Sequence, residues 1–315
     1  SVSSEFSAPP RYLFPFLATH LPLATFFLSR ESHPMKAMIL AAGLGTRLKP
    51  LTDTRPKALV ELSGRTLLEI TLTRLRTFGV TEVIVNVHHF AGMVIDYLQS
   101  HENFGMRIEV SREEVLLDTG GGLKKASWFF LEDSSRLDEA FLLHNVDVIS
   151  NIDLRAMLQF HVDSHALATL AVQSRKTSRP LLFNDQGQLR GRRIEGYSSL
   201  ANRQSPLPQA PEPPPFEPAQ ITANCHSERS AEPAFSVSPA GHSNKLQAFA
   251  FSGIHIISPR LLPLLTEEGV FPIIPSYLRL SAQSQKILAF HADNYYWRDL
   301  GRPADLAQAA LDAPL

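Results

Sequence analysis

From Met35 onward the chain alternates short apolar runs with stretches of helical period, and that alternation constrains the fold more than any other feature. Ala37 to Ala41 is a short apolar run before a glycine, the pattern of a buried parallel strand. Leu67, Leu68, Thr71, Leu72 and Leu75 then recur at helical spacing, and Gly79 is placed to stop that helix. EVIVNV (Glu82 to Val87) reads as a second strand and AGMVIDYLQS as a second helix. MRIEV reads as a third strand, GGGLKKASWFF as a helix opening at glycines, and AFLLHN (Ala140 to Asn145) as another strand, closed by Val146-Asp147. Repeated strand–helix units predict an α/β architecture, a parallel sheet covered by helices on both faces. Ligands in such sheets bind at the carboxyl ends of the strands. Gly43, Gly120 and Asp147 all fall there.

The alternation breaks between about Tyr197 and Asn244. SPLPQAPEPPPFEPAQ is proline-dense and can form neither helix nor central strand. The stretch that follows has few bulky apolar residues and no period. Residues 198–245 are therefore expected to be a disordered insertion in a surface loop. Order is expected to return at LQAFAFSGIHIISP, an alternating strand, followed by a helix, a strand near KILAFHA and a last helix from Ala304. Residues 35–315 then make one domain. Residues 1–34 are read as a disordered appendage of upstream translated sequence. YLFPFLATHLPLATFFL within them is apolar, but Pro15, His20 and Pro22 interrupt it, so it makes a poor membrane span. A membrane-surface anchor is the alternative for that segment.

Charge and cysteine content narrow the partners. The net charge is -1 over 315 residues, which gives no basic excess for a nucleic-acid partner. Cys225 is the one cysteine, so no intrachain disulfide forms, and a cytoplasmic location is expected.

The stretch MKAMILAAGLGTRLKPLTDTRPKALVEL, Met35 to Leu62, puts glycines and cations just after the first strand. It is not a P-loop, because no lysine follows Gly43 or Gly45 in register. It is not the dinucleotide fingerprint either, because Leu48 occupies the third glycine position. Its pattern, L-A-A-G-x-G-T-R-L-x-P-L-T and then P-K-A-L, resembles the signature of the sugar-1-phosphate nucleotidylyltransferases. The physical reading agrees with that resemblance. Glycines let backbone N–H groups approach phosphate oxygens. Arg47 can fork onto two oxygens of a triphosphate, and Lys57 supplies a point charge. Small Ala41 and Ala42 leave room for a flat base. DTGGGLKKA, Asp118 to Ala126, resembles the family's E-T-G-G-G-[IL]-x-x-A segment beside the nucleobase, with Asp118 in place of Glu.

The resemblance implies a Rossmann-like, mixed, mostly parallel sheet sandwiched by helices in a single nucleotidyltransferase domain. It implies Ala41, Ala42, Gly43, Gly45, Thr46, Gly120 and Gly121 as nucleotide-binding positions, and Arg47 and Lys57 as catalytic ones. LLHNVDVI and WRDLGRP match the family's metal-carboxylate segments, which implies Asp147 and Asp299 as ligands of Mg2+. Asn145, Gly253 (in FSGIHIIS) and Glu195 (in RRIEGYSS) are the implied contacts of the sugar phosphate. His88 and His89 follow a strand but lack a companion at metal spacing, and are read as ordinary strand-end residues.

The implied reaction joins a nucleoside triphosphate to a sugar 1-phosphate, giving an NDP-sugar and pyrophosphate. UTP is favoured as donor. The alternatives are a GTP-using mannose-1-phosphate guanylyltransferase and a non-catalytic sugar-nucleotide sensor or regulatory subunit. A glycosyltransferase of similar fold would need an Asp-x-Asp metal motif, which NVDVISNID does not supply.

Overall fold

The computed structural model describes residues 35–193 and 245–312. Glu195, residues 1–34 and all of the 198–245 insertion but Lys245 lie outside the described residues. The described residues belong to one compact unit, Pro34–Leu315.

The chain begins with β1 (Lys36–Leu40), followed by the two-residue strands β2 (Glu61–Leu62) and β3 (Arg65–Thr66), which pair with each other. Then come α1 (Leu67–Thr77), β4 (Glu82–Val87), α2 (Ala91–Ser100), β5 (Arg107–Arg112), α3 (Asp118–Lys125), α4 (Ser127–Leu131) and β6 (Phe141–Asn145). β7 (Val148–Ser150), α5 (Leu154–Asp163), β8 (Ala168–Gln173), β9 (Leu181–Phe183) and β10 (Leu189–Arg192) complete the first described stretch. The second holds β11 (Gln247–Ile257), α6 (Ile273–Ala282), β12 (Ile287–His291), β13 (Trp297–Asp299) and α7 (Pro303–Asp312).

The helix boundaries follow from local chemistry. The Thr66 side chain accepts the N–H of Glu69, three residues on, which caps α1. Gly79, at φ +84, turns the chain out of that helix in a conformation a side chain would strain. Asp153 caps α5 in the same way, accepting from the N–H groups of Arg155 and Ala156.

β6, β1, β4 and β5 run parallel, with β1 in the centre. β11 lies antiparallel beside β6 and also antiparallel to β8, and β12 pairs parallel with β8. The strand–helix alternation predicted the parallel half. The antiparallel β11 comes after the proline-rich stretch, where the alternation no longer reports direction.

Alternate residues of the central strands point to opposite faces. Ala37, Ile39, Val83, Val85 and Leu142 join one core with Leu68, Leu72 and Leu75 of α1 and Val94 and Leu98 of α2. Met38, Ile84, Phe141 and Leu143 join another with Leu123 of α3, Phe129 and Phe130 of α4, and Tyr277 and Leu280 of α6. Helices thus cover both faces, and polar ligands are left to the strand ends. Among the described residues no helix is long and apolar enough to cross a membrane.

Candidate active site

Three strand ends meet at one level. Leu40, the last residue of β1, is in register with Asn86 of β4 on one side and Asn145 of β6 on the other. The chain then leaves the sheet through Ala41, whose N–H donates to Asn86 Oδ1 at 2.7 Å. Gly45 takes φ +63, and a Cβ there would stand 2.8 Å from Thr52 Cγ2 and 3.2 Å from Lys57 Cβ. The Thr52 hydroxyl donates to Gly45 O at 2.9 Å. Only glycine permits this tight fold-back, which brings Lys57 beneath the loop. Gly43 has no neighbour within 4 Å of the Cβ it lacks. With Ala42, Lys57, Asn145 and Asp147 it lines a cavity of about 410 Å³.

The floor of this cavity is a buried polar chain. Asn86 Nδ2 donates to Glu113 Oε1 at 2.7 Å, and Leu117 N–H donates to Glu113 Oε2 at 2.9 Å. Glu113 is only 2% exposed, and these two donors satisfy both of its carboxyl oxygens. Gly122 leaves room for them, since a Cβ there would lie 2.7 Å from Glu113 Oε1 and 2.8 Å from Asn86 Nδ2. Gly120 and Gly121 also face inward. Their N–H groups donate to Phe271 O at 2.9 and 3.1 Å, and a Cβ on Gly120 would strike the Phe271 ring at 2.4 Å. The close approach expected of this glycine run is therefore made to the protein's own 269–271 segment. The residues of DTGGG that line the cavity are Asp118 and Thr119.

Asp147 and Asp299 come together although they are far apart in sequence. Asp147 follows β6 and leads into β7, which pairs antiparallel with β13 so that Val148 faces Asp299. Leu300 N–H donates to Asp147 O at 2.8 Å and locks the two chains. The Asp147 carboxylate accepts from Lys57 Nζ in a close, largely buried ion pair. Asp299 accepts the Gly301 N–H at 2.7 Å and has Arg47 Nη2 at 4.0 Å. Burial pushes the Asp299 carboxyl up from its ordinary value, and the neighbouring Asp147 charge pushes the same way, against Gly301 N–H, Lys57 and Arg47. Asp147 and Asp299 are the two carboxylates here that could hold a divalent cation, with its remaining ligands drawn from phosphate oxygens and water. Among the described residues no group of three or more His, Cys, Asp or Glu side chains is placed to hold a metal.

A second cavity, of about 830 Å³, adjoins the first at Asn145, which lines both. Arg47, Gly253, Trp297 and Asp299 also line it. Gly253 takes φ +74, and a Cβ on it would lie 2.8 Å from Asn145 Nδ2. Glycine there lets β11 press against the Asn145 amide. The Arg175 guanidinium lies 3.7 Å over the Trp297 ring and donates to Phe251 O at 2.6 Å. Trp297 Nε1 donates to Ser252 O at 2.7 Å. A third cavity, of about 660 Å³ between α1, β7 and α7, is lined by none of the site glycines, Arg47, Lys57, Asp147 or Asp299.

The sequence-derived set is thus brought to one end of the sheet, except that Gly120 and Gly121 pack against the 269–271 segment and line neither cavity, and Glu195 lies outside the described residues. Thr46 starts the short helical turn Thr46–Leu48 that carries Arg47. His88 Nδ1 lies 2.9 Å from Glu113 O, which can only accept, and His89 rests against the Phe90 ring. Sequence reasoning missed Asn86, Glu113 and Arg175. Three cations in SRKTSRP, just after a strand, were the one available signal for the last.

A nucleotidyl transferase family model matches residues 36–183. An N-acetylmuramate alpha-1-phosphate uridylyltransferase of Caulobacter vibrioides is 51% identical over 96 residues, 30% of this chain and 40% of the relative. A mannose-1-phosphate guanyltransferase beta-B of Xenopus laevis is 28% identical over 278 residues, 86% of this chain and 62% of the relative. The match thus spans less than two thirds of either relative's length. The crystal structure of HddC from Yersinia pseudotuberculosis complexed with GMP-PN superposes with a TM-score of 0.59 at 19% identity, covering 88% of this chain and 98% of the other. At that identity the superposition speaks for the fold alone.

Proposed function

Because the chain belongs to the nucleotidyl transferase family, we propose that it transfers a nucleotidyl group, uridylyl in preference to guanylyl, from a nucleoside triphosphate to a sugar 1-phosphate. The observation that carries this reading is the meeting of two cavities at Asn145, with Arg47, Lys57, Asp147 and Asp299 at their junction. The smaller cavity takes the nucleotide, held by the backbone from Ala41 to Thr46 above the Asn86–Glu113 floor. The larger one takes the sugar phosphate, with Asn145 and Gly253 on its wall.

A phosphate oxygen of the sugar 1-phosphate attacks the α-phosphorus of the triphosphate. The new bond forms in line with the one that breaks, between the α-phosphorus and the bridging oxygen, and that electron pair leaves with pyrophosphate. The attacking oxygen is already anionic near neutral pH, so no general base is required. The protein's work is positioning and charge stabilisation. Arg47 and Lys57 offset the charge that builds on the phosphate oxygens. A preorganised donor of this kind contributes about 3–4 kcal/mol, or roughly 10²–10³ in rate. Asp147 and Asp299 would hold a magnesium ion, which supplies Lewis-acid neutralisation of the phosphates when bound. Lys57, now on Asp147, is close enough to exchange that partner for a phosphate.

The preference for UTP rests on the higher identity to the Caulobacter uridylyltransferase, and the cytoplasm and cell-wall precursor synthesis are part of the same reading. The longer alignment to the Xenopus guanyltransferase favours GTP with mannose 1-phosphate as the second reading. A matrix of four nucleoside triphosphates against several sugar 1-phosphates, read by pyrophosphate release in magnesium buffer, tests both. Highest turnover with UTP supports the proposal. Highest turnover with GTP and mannose 1-phosphate replaces it by the second reading, and no turnover anywhere returns the chain to a binding role.

A further inference from the structure

The middle of β11 serves side chains as well as neighbouring strands. β11 pairs with β8 up to Phe251, opposite Val172, and the register has shifted where pairing resumes at His255, opposite Leu170. Gly253, at φ +74, lies inside that irregularity, and the pairing of β11 with β6 starts only at Ile254. A bulge of this kind interrupts the ladder and re-aims the groups within it. Two carbonyls at its start are taken by side chains. Phe251 O accepts from Arg175 Nη2 at 2.6 Å, and Ser252 O accepts from Trp297 Nε1 at 2.7 Å.

The Trp297 ring is thereby held on two sides. The Ser252 bond fixes its edge, and the Arg175 guanidinium covers its face at 3.7 Å. Arg175 comes two residues after β8, so the ends of remote segments meet at one ring. Trp297 and Asp299 are alternate residues of β13, so their side chains leave the same side of the strand, and both line the larger cavity together with Arg175. Burial lowers Arg175 from its ordinary value, and the Asp299 charge opposes that shift. Arg175 Nε is buried and has no hydrogen-bond partner. The fold thus keeps a partly buried cation that bonds a neutral carbonyl, an arrangement that costs desolvation. Its stack on the indole face offsets part of that cost.

The ribbon that carries Asp299 needs such a hold. Among the described residues β13 pairs only with β7, and both strands are three residues long. The Leu300 N–H bond to Asp147 O pins one end of it, and a short ribbon pinned at one end can still pivot. We propose that Arg175 is a positioning residue: by holding the face of the Trp297 ring it pins the other end of β13 to the β11 bulge and so sets the direction of the Asp299 carboxylate. This rests on the nucleotidyl-transfer reading above. The same clamp ties Asp299 to the Gly253 wall, where the acceptor is placed.

A double-mutant cycle of Arg175→Met and Trp297→Leu tests this, with Arg175→Lys as the conservative variant. The readouts are the magnesium concentration at half-maximal pyrophosphate release, KM for the sugar 1-phosphate and, without turnover, the affinity for Mn2+ alone by calorimetry. Arg175→Met is expected to raise the magnesium midpoint by about tenfold and to weaken Mn2+ binding by about the same factor, with KM for the sugar 1-phosphate within about twofold of wild type. Arg175→Lys keeps a cation for the ring and is expected to recover part of the loss. In the Trp297→Leu background Arg175→Met is expected to add less than about twofold, because the ring it acts through is gone.

Equal losses in the two backgrounds, or a loss confined to KM for the sugar 1-phosphate, would make Arg175 a substrate contact and overturn the proposal. So would an unchanged Mn2+ affinity in Arg175→Met, or no Mn2+ binding by the wild type. If Trp297→Leu does not fold, the other two variants decide: a loss of Mn2+ affinity graded from Lys to Met supports the clamp, and equal affinities reject it. If no sugar 1-phosphate is turned over, the transfer reading fails, and the Mn2+ affinities across the cycle decide the clamp alone. A loss that depends on Trp297 supports it, and an additive loss rejects it.

Discussion

Asp299 stands in register with Val148, the residue after Asp147, so the β7–β13 ribbon holds the two aspartates on neighbouring chains. The Leu300 N–H bond to Asp147 O, at 2.8 Å, fixes their spacing through the backbone rather than through the carboxylates. The spacing does not depend on the present partners of the carboxylates, Lys57 on Asp147 and Gly301 N–H on Asp299. Burial and the Asp147 charge both disfavour the Asp299 carboxylate, so the fold gains little from that one charge.

This arrangement separates activity from stability. Asp299→Asn keeps the side-chain oxygen that accepts from Gly301 and removes a charge that burial and Asp147 disfavour. Its folding stability is expected to stay within about 1 kcal/mol of wild type, by urea unfolding without magnesium. Its magnesium-dependent pyrophosphate release is expected to fall by roughly 10²-fold or more. A variant that keeps wild-type turnover would remove Asp299 from the reaction.

The Asn86–Glu113 pair sets a different expectation. Glu113→Gln replaces an acceptor oxygen by a donor facing Asn86 Nδ2 or Leu117 N–H, leaving a buried group unsatisfied. A stability loss of about 1–3 kcal/mol is expected, with a raised KM for the nucleotide. Gly122→Ala forces a methyl group onto the same carboxylate and should act in the same direction. If Glu113→Gln left both stability and nucleotide KM unchanged, the floor would have no positioning role.

Two buried histidines predict an acid limit to stability. Burial lowers His144 to about 4, and burial with the nearby His144 lowers His255 to about 3. Because the folded values lie below the unfolded value near 6.5, the unfolded chain takes up protons first as pH falls. Their stabilisation is full above about pH 6.5 and is lost on going down toward pH 4, by roughly 3 kcal/mol for each histidine. His255 Nδ1 also lies 2.9 Å from Tyr277 Oη, inside the same core. Urea unfolding at intervals from pH 7.5 to 4.5 is expected to show a steady fall below pH 6.5, and a flat profile would contradict it.

The parts of the site that lie next to one another in sequence were legible before the fold was known. Gly43, Gly45, Arg47 and Lys57 share one loop, and the buried β1 before them marked its place at a strand end. Asp147 and Asp299 were legible only as members of separate motifs. Their meeting depends on β7 and β13, three-residue strands with no alternation to read, paired across roughly 150 residues of chain. Glu113 was not legible at all. In SREEV it resembles a solvated charge, and only its partners Asn86 and Leu117 make it a buried one. Gly120 and Gly121 show the converse: a glycine run reports a close approach without saying to what.

The proposed reaction moves the nucleotidyl group of a nucleoside triphosphate onto a sugar 1-phosphate, and an isotope label at the α-phosphorus follows that group directly. The protein is incubated with magnesium, UTP labelled at the α-phosphorus and N-acetylmuramate 1-phosphate, and the products are separated. The label is expected to appear in a UDP-sugar in step with unlabelled pyrophosphate, and Lys57→Ala is expected to slow this by roughly 10²–10³-fold. Label that stays in UTP, with this acceptor and with every other triphosphate and sugar 1-phosphate offered, would contradict it.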